Sequence, residues 1–408
     1  MARVVVAEES AAGGCGPEGV AEGAGVEQAG VESADAGGRG LLAAAGVLFP
    51  DRDGRLLVVR LPYDRKHPVA IPGGGWEPTD RSPRETAVRE IREELGFTPR
   101  LGPLACVDWA LYDGRPPIVA YLYWADPLTE RQAATIRPDA AEIGGWTWLT
   151  PELAGHALPP LLSRRVTACL RAPRTAGPLE LEDSRPVGHT LRVLPGDGPV
   201  PEYLGPAAAP GLKPETGQRP DPPMDRETYY ATLPRIRAKA RTLFTDAAGR
   251  VLLVRLRPWD GPRGLVPHWT LPGGGVEADR EMPRAAARRE VREELGWEVE
   301  PGPLLALDWQ PGTLADPEAD PATGEDTAVL VYVYDGGTVT DGMLDSIVLP
   351  EEELVEWRLC APEEARALLT GPSWDRTAAA LIARERAGGP AELVRGQAAG
   401  PVAGTVTG

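Results

Sequence analysis

Two sets of three glutamates carry the first chemical signal. Glu90, Glu93 and Glu94 stand at i, i+3 and i+4, and Glu290, Glu293 and Glu294 repeat that spacing 200 positions later. On a helix each triplet shares one face. Like charges placed so closely repel, and a hard divalent cation with oxygen ligands would relieve the repulsion. Such cations share their coordination shell with substrate phosphates, so the chemistry suggested is action on a phosphate-bearing substrate through a metal. A bland reading competes with this one. Arg89 with Glu93, and Arg289 with Glu293, form i,i+4 pairs of the kind any exposed amphipathic helix carries.

The elements that must position these residues also occur twice. Residues 71–97 read IPGGGWEPTDRSPRETAVREIREELGF, and residues 271–297 read LPGGGVEADREMPRAAARREVREELGW. Each predicts a glycine turn, a short loop and a glutamate-rich helix. In the first copy Ser82 suits the cap, Pro83 the first helical position and Glu85 the far side of a capping box, with Gly96 as the stop. Ala87, Ile91 and Leu95 form the buried stripe, and the glutamates lie on a face away from it. In the second copy Ala287, Val291 and Leu295 take that role, and Met282 leaves the helix start without a side-chain cap. The glycines let the chain bend tightly and approach a cation closely.

Around each copy the same order of elements recurs. Residues 41–61 predict a β-hairpin turning at Asp53-Gly54, and Asp246 and Gly249 mark the matching turn. After the helix, each copy has a strand ending in Asp-Trp (Asp108-Trp109 and Asp308-Trp309), a second strand, and a last strand entering a helix. Closing helices are expected at 158–172 and 374–386. Correspondence over roughly 130 residues in one order is an internal duplication of α/β units, not a solenoid. The expected organisation is a disordered segment at 1–40, one domain at 41–172, a Pro/Gly-rich linker at 173–224, a second domain at 225–388 and a disordered tail at 389–408. Within the linker, the stretch from His189 is read as a stray strand.

Composition narrows the partners. The net charge of -17 argues against binding nucleic-acid polymers or anionic membranes. No apolar run approaches the ~18–20 residues of a membrane span. Cys15, Cys106, Cys169 and Cys360 have no zinc-ligand spacing and fit a reducing cytoplasm. The opening MARVVVAEESAAGG lacks the order of a secretion signal, so a cytoplasmic location is expected.

The joint pattern, a glycine, a distant acid and the helix motif, resembles the signature of the Nudix hydrolase family, G-x5-E-x7-R-E-U-x-E-E-x-G-U with U apolar. The second copy meets it at Gly275, Glu281, Arg289, Glu290, Val291, Glu293, Glu294, Gly296 and Trp297. The first meets it at Gly75, Arg89, Glu90, Ile91, Glu93, Glu94, Gly96 and Phe97, but carries Arg81 where the family has glutamate. Asp80 can substitute there only if the loop shifts by one residue. The resemblance covers both expected domains, and neither the N-terminal segment nor the linker.

It implies two α/β/α sandwich domains with mixed sheets. It also implies Mg²⁺ or Mn²⁺, and hydrolysis of a small nucleoside diphosphate linked to another moiety, mainly by the second domain. The implied metal ligands are Glu290, Glu293, Glu294 and the carbonyl of Gly274, with Glu90, Glu93 and Glu94 in the first copy. Arg289 and Arg89 would orient carboxylates, Glu281 would support the metal shell, and Glu293 and Glu93 would also take part in catalysis. A later glutamate often serves as base in the family. Glu353, four residues before Trp357, is the candidate, matched by Glu142 before Trp146, against a reading of both as surface glutamates. Arg81 leaves two readings of the first domain: weakened or retained hydrolysis, or a ligand-binding or regulatory module without turnover. Oxidised nucleoside triphosphates, ADP-ribose-like sugars and dinucleoside polyphosphates all remain as substrates. Trp76, Trp109 and Trp309 are read as core, Trp269 as a base-stacking candidate, and His67 and His268 as exposed loop histidines.

Overall fold

Runs of Val, Leu, Ile and Ala before each glycine stretch become buried strands, and the periodic stretches after it become helices. The computed structural model describes residues 40–400 except 65, 112–114, 141, 189, 195–200, 213–225, 258–267, 313–326 and 387–388. The disorder expected for residues 1–39 and 401–408 lies outside the described residues, as does the linker at 195–200 and 213–224.

The first half contains β1 (Leu42–Leu48), β2 (Leu56–Arg60), β3 (Val69–Ala70), β4 (Gly73–Gly75), α1 (Pro83–Leu95), β5 (Leu101–Ala110) and β6 (Ile118–Ala125). It continues with α2 (Glu130–Ala133), β7 (Gly145–Leu149), α3 (Pro151–Ala157), α4 (Pro160–Arg171), β8 (Leu179–Glu182), β9 (Arg185–Pro186) and α5 (Thr190–Val193). After α6 (Arg226–Thr232) come β10 (Arg237–Thr245), β11 (Val251–Leu256), β12 (Trp269–Thr270), β13 (Gly273–Gly275), α7 (Pro283–Leu295), β14 (Leu304–Gln310) and β15 (Val329–Thr338). The chain then forms α8 (Asp341–Asp345), β16 (Leu354–Cys360), α9 (Pro362–Leu368), α10 (Gly371–Arg386), β17 (Ala391–Val394) and β18 (Gln397–Ala398).

The first half has a mixed sheet in the order β4-β1-β6-β5-β8-β9 and a small sheet β3-β2-β7. β1 runs parallel to β6 and antiparallel to β4, and α1 packs on β1 and β4. The second half repeats this, with β10 parallel to β15 and antiparallel to β13, and α7 packed on β10 and β13.

Four sequence expectations are corrected. Whereas β10 and β11 pair antiparallel within one sheet, the predicted hairpin of the first half is closed only beside its turn: β1 and β2 belong to different sheets, and they are linked by the bridge Pro50↔Leu56 and the Leu57 amide on the Phe49 carbonyl. Its turn is built by Asp51, whose Oδ1 accepts from the Asp53 and Arg55 amides at 2.9 and 2.8 Å. The linker reading fails at residues 179–186 and the tail reading at 391–398, because both stretches are strands. β8 runs parallel to β5 and β17 parallel to β14. A buried carboxylate anchors each: Asp108 accepts from the Ser184 amide at 2.9 Å and Arg165 Nε at 2.7 Å, and Asp308 from the Gly396 amide at 2.8 Å and Arg376 Nη1 at 2.6 Å. The residues from Thr190 form a short helix, not a strand.

The halves share one apolar core. Trp109 packs edge-on against Tyr332 (ring centroids 6.2 Å), and Trp309 against Tyr121 (6.3 Å). The strand registers make Tyr121 and Tyr332 equivalent. The same contact is thus made twice with the halves exchanged, the signature of an isologous two-fold arrangement. Main-chain bonds between Leu41 and Ile236 link the starts of the two sheets.

Candidate active site

α1 starts at Ser82, whose Oγ accepts the Glu85 amide at 3.3 Å. The expected capping box is not closed: Glu85 Oε2 accepts from the Arg81 amide at 2.9 Å instead. α7 starts at Met282 without a side-chain cap. Both helices end at a left-handed glycine, Gly96 or Gly296.

The face that carries the glutamates is only partly open to solvent, with the Glu93 and Glu293 side chains 33% and 47% exposed. Glu90 and Glu94 are 2% and 1% exposed, and Glu294 is 4% exposed. The helices press this face against the glycine strands. The Gly73 amide donates to Glu94 Oε2 at 2.8 Å, and the Gly273 amide to Glu294 Oε2 at 2.6 Å. A Cβ added at Gly74 or Gly274 would lie 2.5 Å from the carboxylate of Glu90 or Glu290. Only glycine admits the carboxylate at that distance, so the main chain of β4 and β13 is brought directly to the acids.

An arginine gathers the remaining acids. In the second half Arg289 donates to Glu281 at 2.7 and 3.2 Å, to Glu290 at 2.8 Å, to Glu293 at 2.9 Å and to the Gly275 carbonyl at 2.9 Å. In the first half Arg89 donates to Glu90 at 2.9 Å, Glu93 at 3.2 Å and the Gly75 carbonyl at 2.7 Å. The place of Glu281 is taken by Asp80, which Arg89 reaches at 2.9, 3.1 and 3.3 Å. Asp80 also accepts the Glu77 amide, as Glu281 accepts the Glu277 amide. Arg81 is exposed and is not among the groups that Arg89 holds. The charge reversal visible in the sequence therefore leaves an acid on the arginine.

Burial pushes the Glu294 carboxyl up to about 8, opposed by the positive charge of Arg241 and the Gly273 amide. Burial also raises Glu290, against the charge and hydrogen bond of Arg289. Burial alone would lower the Arg289 guanidinium, but the bond to Glu281 and the charges of Glu290 and Glu281 raise it. Glu353 lies near enough for its charge to contribute to the rise of Glu294, and its carbonyl accepts the Arg257 amide at 2.7 Å. Glu142 is in a turn tied to α1 through the Asp139 amide and the Glu94 carbonyl.

Among the described residues no group of three or more His, Cys, Asp or Glu is gathered so that it could hold a metal ion as it stands. The donor set is nonetheless one of oxygen atoms alone, carboxylates beside a glycine main chain, which suits a hard divalent ion.

Other expectations are revised by burial. His67 is buried, not exposed, its amide bonded to Asp64 and its ring edge-on to Tyr203 (centroids 5.3 Å). Trp269 is buried with Arg358 over its ring at 4.9 Å, a packed position that removes it as a free stacking surface. Beside β4 the first half has a small open cleft of about 80 Å³, bordered by Gly46, Gly73, Gly74, His67, Tyr121 and Arg165. Sequence reasoning singled out neither this cleft nor Arg241, which occupies in β10 the register that Gly46 holds in β1.

A family model described as NUDIX domain matches residues 40–167 and again 235–382. No curated protein matches the chain. Similar solved structures include a MutT protein from Methanosarcina mazei Go1, at 21% identity over 37% of this chain and 94% of that one, with a TM-score of 0.28. An ADP-ribose pyrophosphatase from Streptococcus suis is similar at 17% identity over 39% of this chain and 98% of its own, TM-score 0.27. A C. elegans Ap4A hydrolase is similar at 20% identity over 32% and 93%, TM-score 0.26. Among the described residues no helix is long and apolar enough to cross a membrane.

Proposed function

The chain belongs to the Nudix family as a tandem of two NUDIX domains and is a hydrolase of diphosphate bonds; from that premise we propose that both halves hydrolyse a small nucleoside diphosphate linked to a second moiety. The observation that carries this reading is the pair of equivalent clusters, Arg289 with Glu281, Glu290 and Glu293, and Arg89 with Asp80, Glu90 and Glu93. By sequence the second half ranks first. Asp80 on Arg89 supports equal standing for the first.

Glu290, Glu293 and Glu294 with the Gly274 carbonyl, and Glu90, Glu93 and Glu94 in the first half, would hold Mg²⁺ or Mn²⁺. Such a cation would supply neutralisation of the phosphates and activation of water. Arg289 and Arg89 hold the carboxylates together against their mutual repulsion and supply counter-charge while the cation is away. Glu281 and Asp80 fix the guanidinium planes by paired hydrogen bonds. Glu353, near Glu294, is the acceptor for the proton of the water. The ligand is a small molecule, not a nucleic-acid polymer, and the location is the cytoplasm, in keeping with the free thiols of Cys106, Cys169 and Cys360.

The test is turnover of a nucleoside-diphosphate panel with Mg²⁺ by wild type, Glu294→Gln, Glu94→Gln and the double variant. Partial loss in each single variant and complete loss in the double one is expected. Full loss with Glu294→Gln alone would assign turnover to the second half. No turnover by wild type across the panel would favour a ligand-binding module.

A further inference from the structure

The helices that carry the acids are each tied to the opposite half. Arg84, in the first turn of α1, donates from Nε to Glu392 Oε1 at 2.9 Å and from Nη2 to Glu392 Oε2 at 2.6 Å. Glu392 belongs to β17, which completes the sheet of the second half. Arg84 also donates to the Gly102 carbonyl at 2.9 Å and lies over the Tyr123 ring at 4.7 Å, and the Tyr123 hydroxyl donates to Glu392 at 2.9 Å. The reciprocal set exists. Arg284 of α7 donates to Glu180 Oε2 at 3.3 Å, donates to the Gly302 carbonyl at 3.0 Å and lies over Tyr334 at 5.1 Å. Glu180 belongs to β8 of the first half. The supporting loop leans across in the same way: Trp76, next to Gly75, packs edge-on against Trp309 of the other half at 5.7 Å.

We propose that each half positions the glutamate-rich helix of the other, with Glu392 a positioning residue for α1 and Glu180 a positioning residue for α7. The inference rests on the reading that those helices hold the cation. A paired guanidinium–carboxylate contact fixes direction as well as distance. Buried in the shared interface, it sets how α1 sits on β4 and so how Glu90 and Glu94 meet Gly73 and Gly74. The hold on α1 is two short bonds and that on α7 one longer bond, so α1 depends more on its partner half. The domains are then one unit, each incomplete alone, and β17, at the far end of the chain, serves the first glutamate set.

The experiment is Mn²⁺ binding to the full chain, read from the free-ion signal in electron paramagnetic resonance. A Glu94→Gln background leaves the α7 set, and a Glu294→Gln background leaves the α1 set. Glu180→Gln should weaken Mn²⁺ about tenfold in the first background and leave the second unchanged, as for loss of an outer support of a metal ligand. Glu392→Gln should do the reverse, with the larger effect. Equal weakening in both backgrounds, an effect confined to the mutated half, or no effect would each overturn the proposal. Hydrogen exchange of the metal-free chain gives a second reading. Glu180→Gln should speed exchange in 283–295 and Glu392→Gln in 83–95. If wild type binds no Mn²⁺, the cation reading fails and exchange alone decides this one: crossed acceleration supports it, and its absence overturns it.

Discussion

Replacing Glu294 by glutamine separates the cost of its buried carboxyl from its use. The side chain is 4% exposed, and one of its oxygens accepts the Gly273 amide at 2.6 Å, a bond that a glutamine oxygen can keep. Burial raises its pKa from 4.5 to about 8. A carboxyl raised in the folded state contributes its full stability below about 4.5 and loses it as pH rises through about 8. With 1.36 kcal/mol per pKa unit, the loss is of order 3 kcal/mol by about pH 7 and of order 5 above about pH 8. Without a cation, Glu294→Gln should match wild type near pH 5 and exceed it by several kcal/mol near pH 9. Urea unfolding in EDTA, followed by circular dichroism, measures this. Mg²⁺ should raise the melting temperature of wild type more as pH rises, because binding requires the ionised acid. The variant should lose the part of that rise that its half contributes. A glutamine variant that is less stable at every pH, or that keeps the whole Mg²⁺ effect, would refute the reasoning.

Two further outcomes follow from the geometry. Asp80→Asn should lower the first half's Mn²⁺ affinity by about tenfold, and Glu281→Gln should do the same for the second, because each removes the acid that fixes the guanidinium; an effect of Glu281→Gln alone would deny Asp80 its place. Burial, and after it the charge of Glu180, lifts Glu182 to about 7, so its contribution to stability is lost as pH rises from about 4.5 through about 7. Glu182→Gln should therefore gain about 1–2 kcal/mol near pH 8 and little near pH 4, after allowance for partial exposure, in the same unfolding measurement.

Much of each half was legible because its signals are local. Helix boundaries follow from Pro83, Gly96, Pro283 and Gly296, and the glutamate spacing is a property of one helix. β8 and β17 were missed although Leu179 and Leu181 alternate with Glu180 and Glu182. A four-residue alternation among prolines and glycines carries little weight until a parallel neighbour is known, and that neighbour lies more than 70 residues away at Cys106↔Leu179. The hairpin expectation held for β10 and β11 but not as a shared sheet for β1 and β2, for a related reason. Two apolar runs about a turn predict strands, but pairing depends on which sheet offers each strand a partner.

The amino-acid sequence by itself determined the duplication, the glycine stretches and the two glutamate triplets, because these depend on order and spacing along the chain. Only the tertiary structure decided that Asp80, and not position 81, meets Arg89, since that depends on where a loop of shifted register meets a helix. It also decided that Glu90, Glu94 and Glu294 are buried against glycine main chain, and that Arg84 and Arg284 reach carboxylates in the opposite half. Burial and cross-half pairing are properties of surfaces brought together from distant parts of the chain, and no spacing along one segment encodes them.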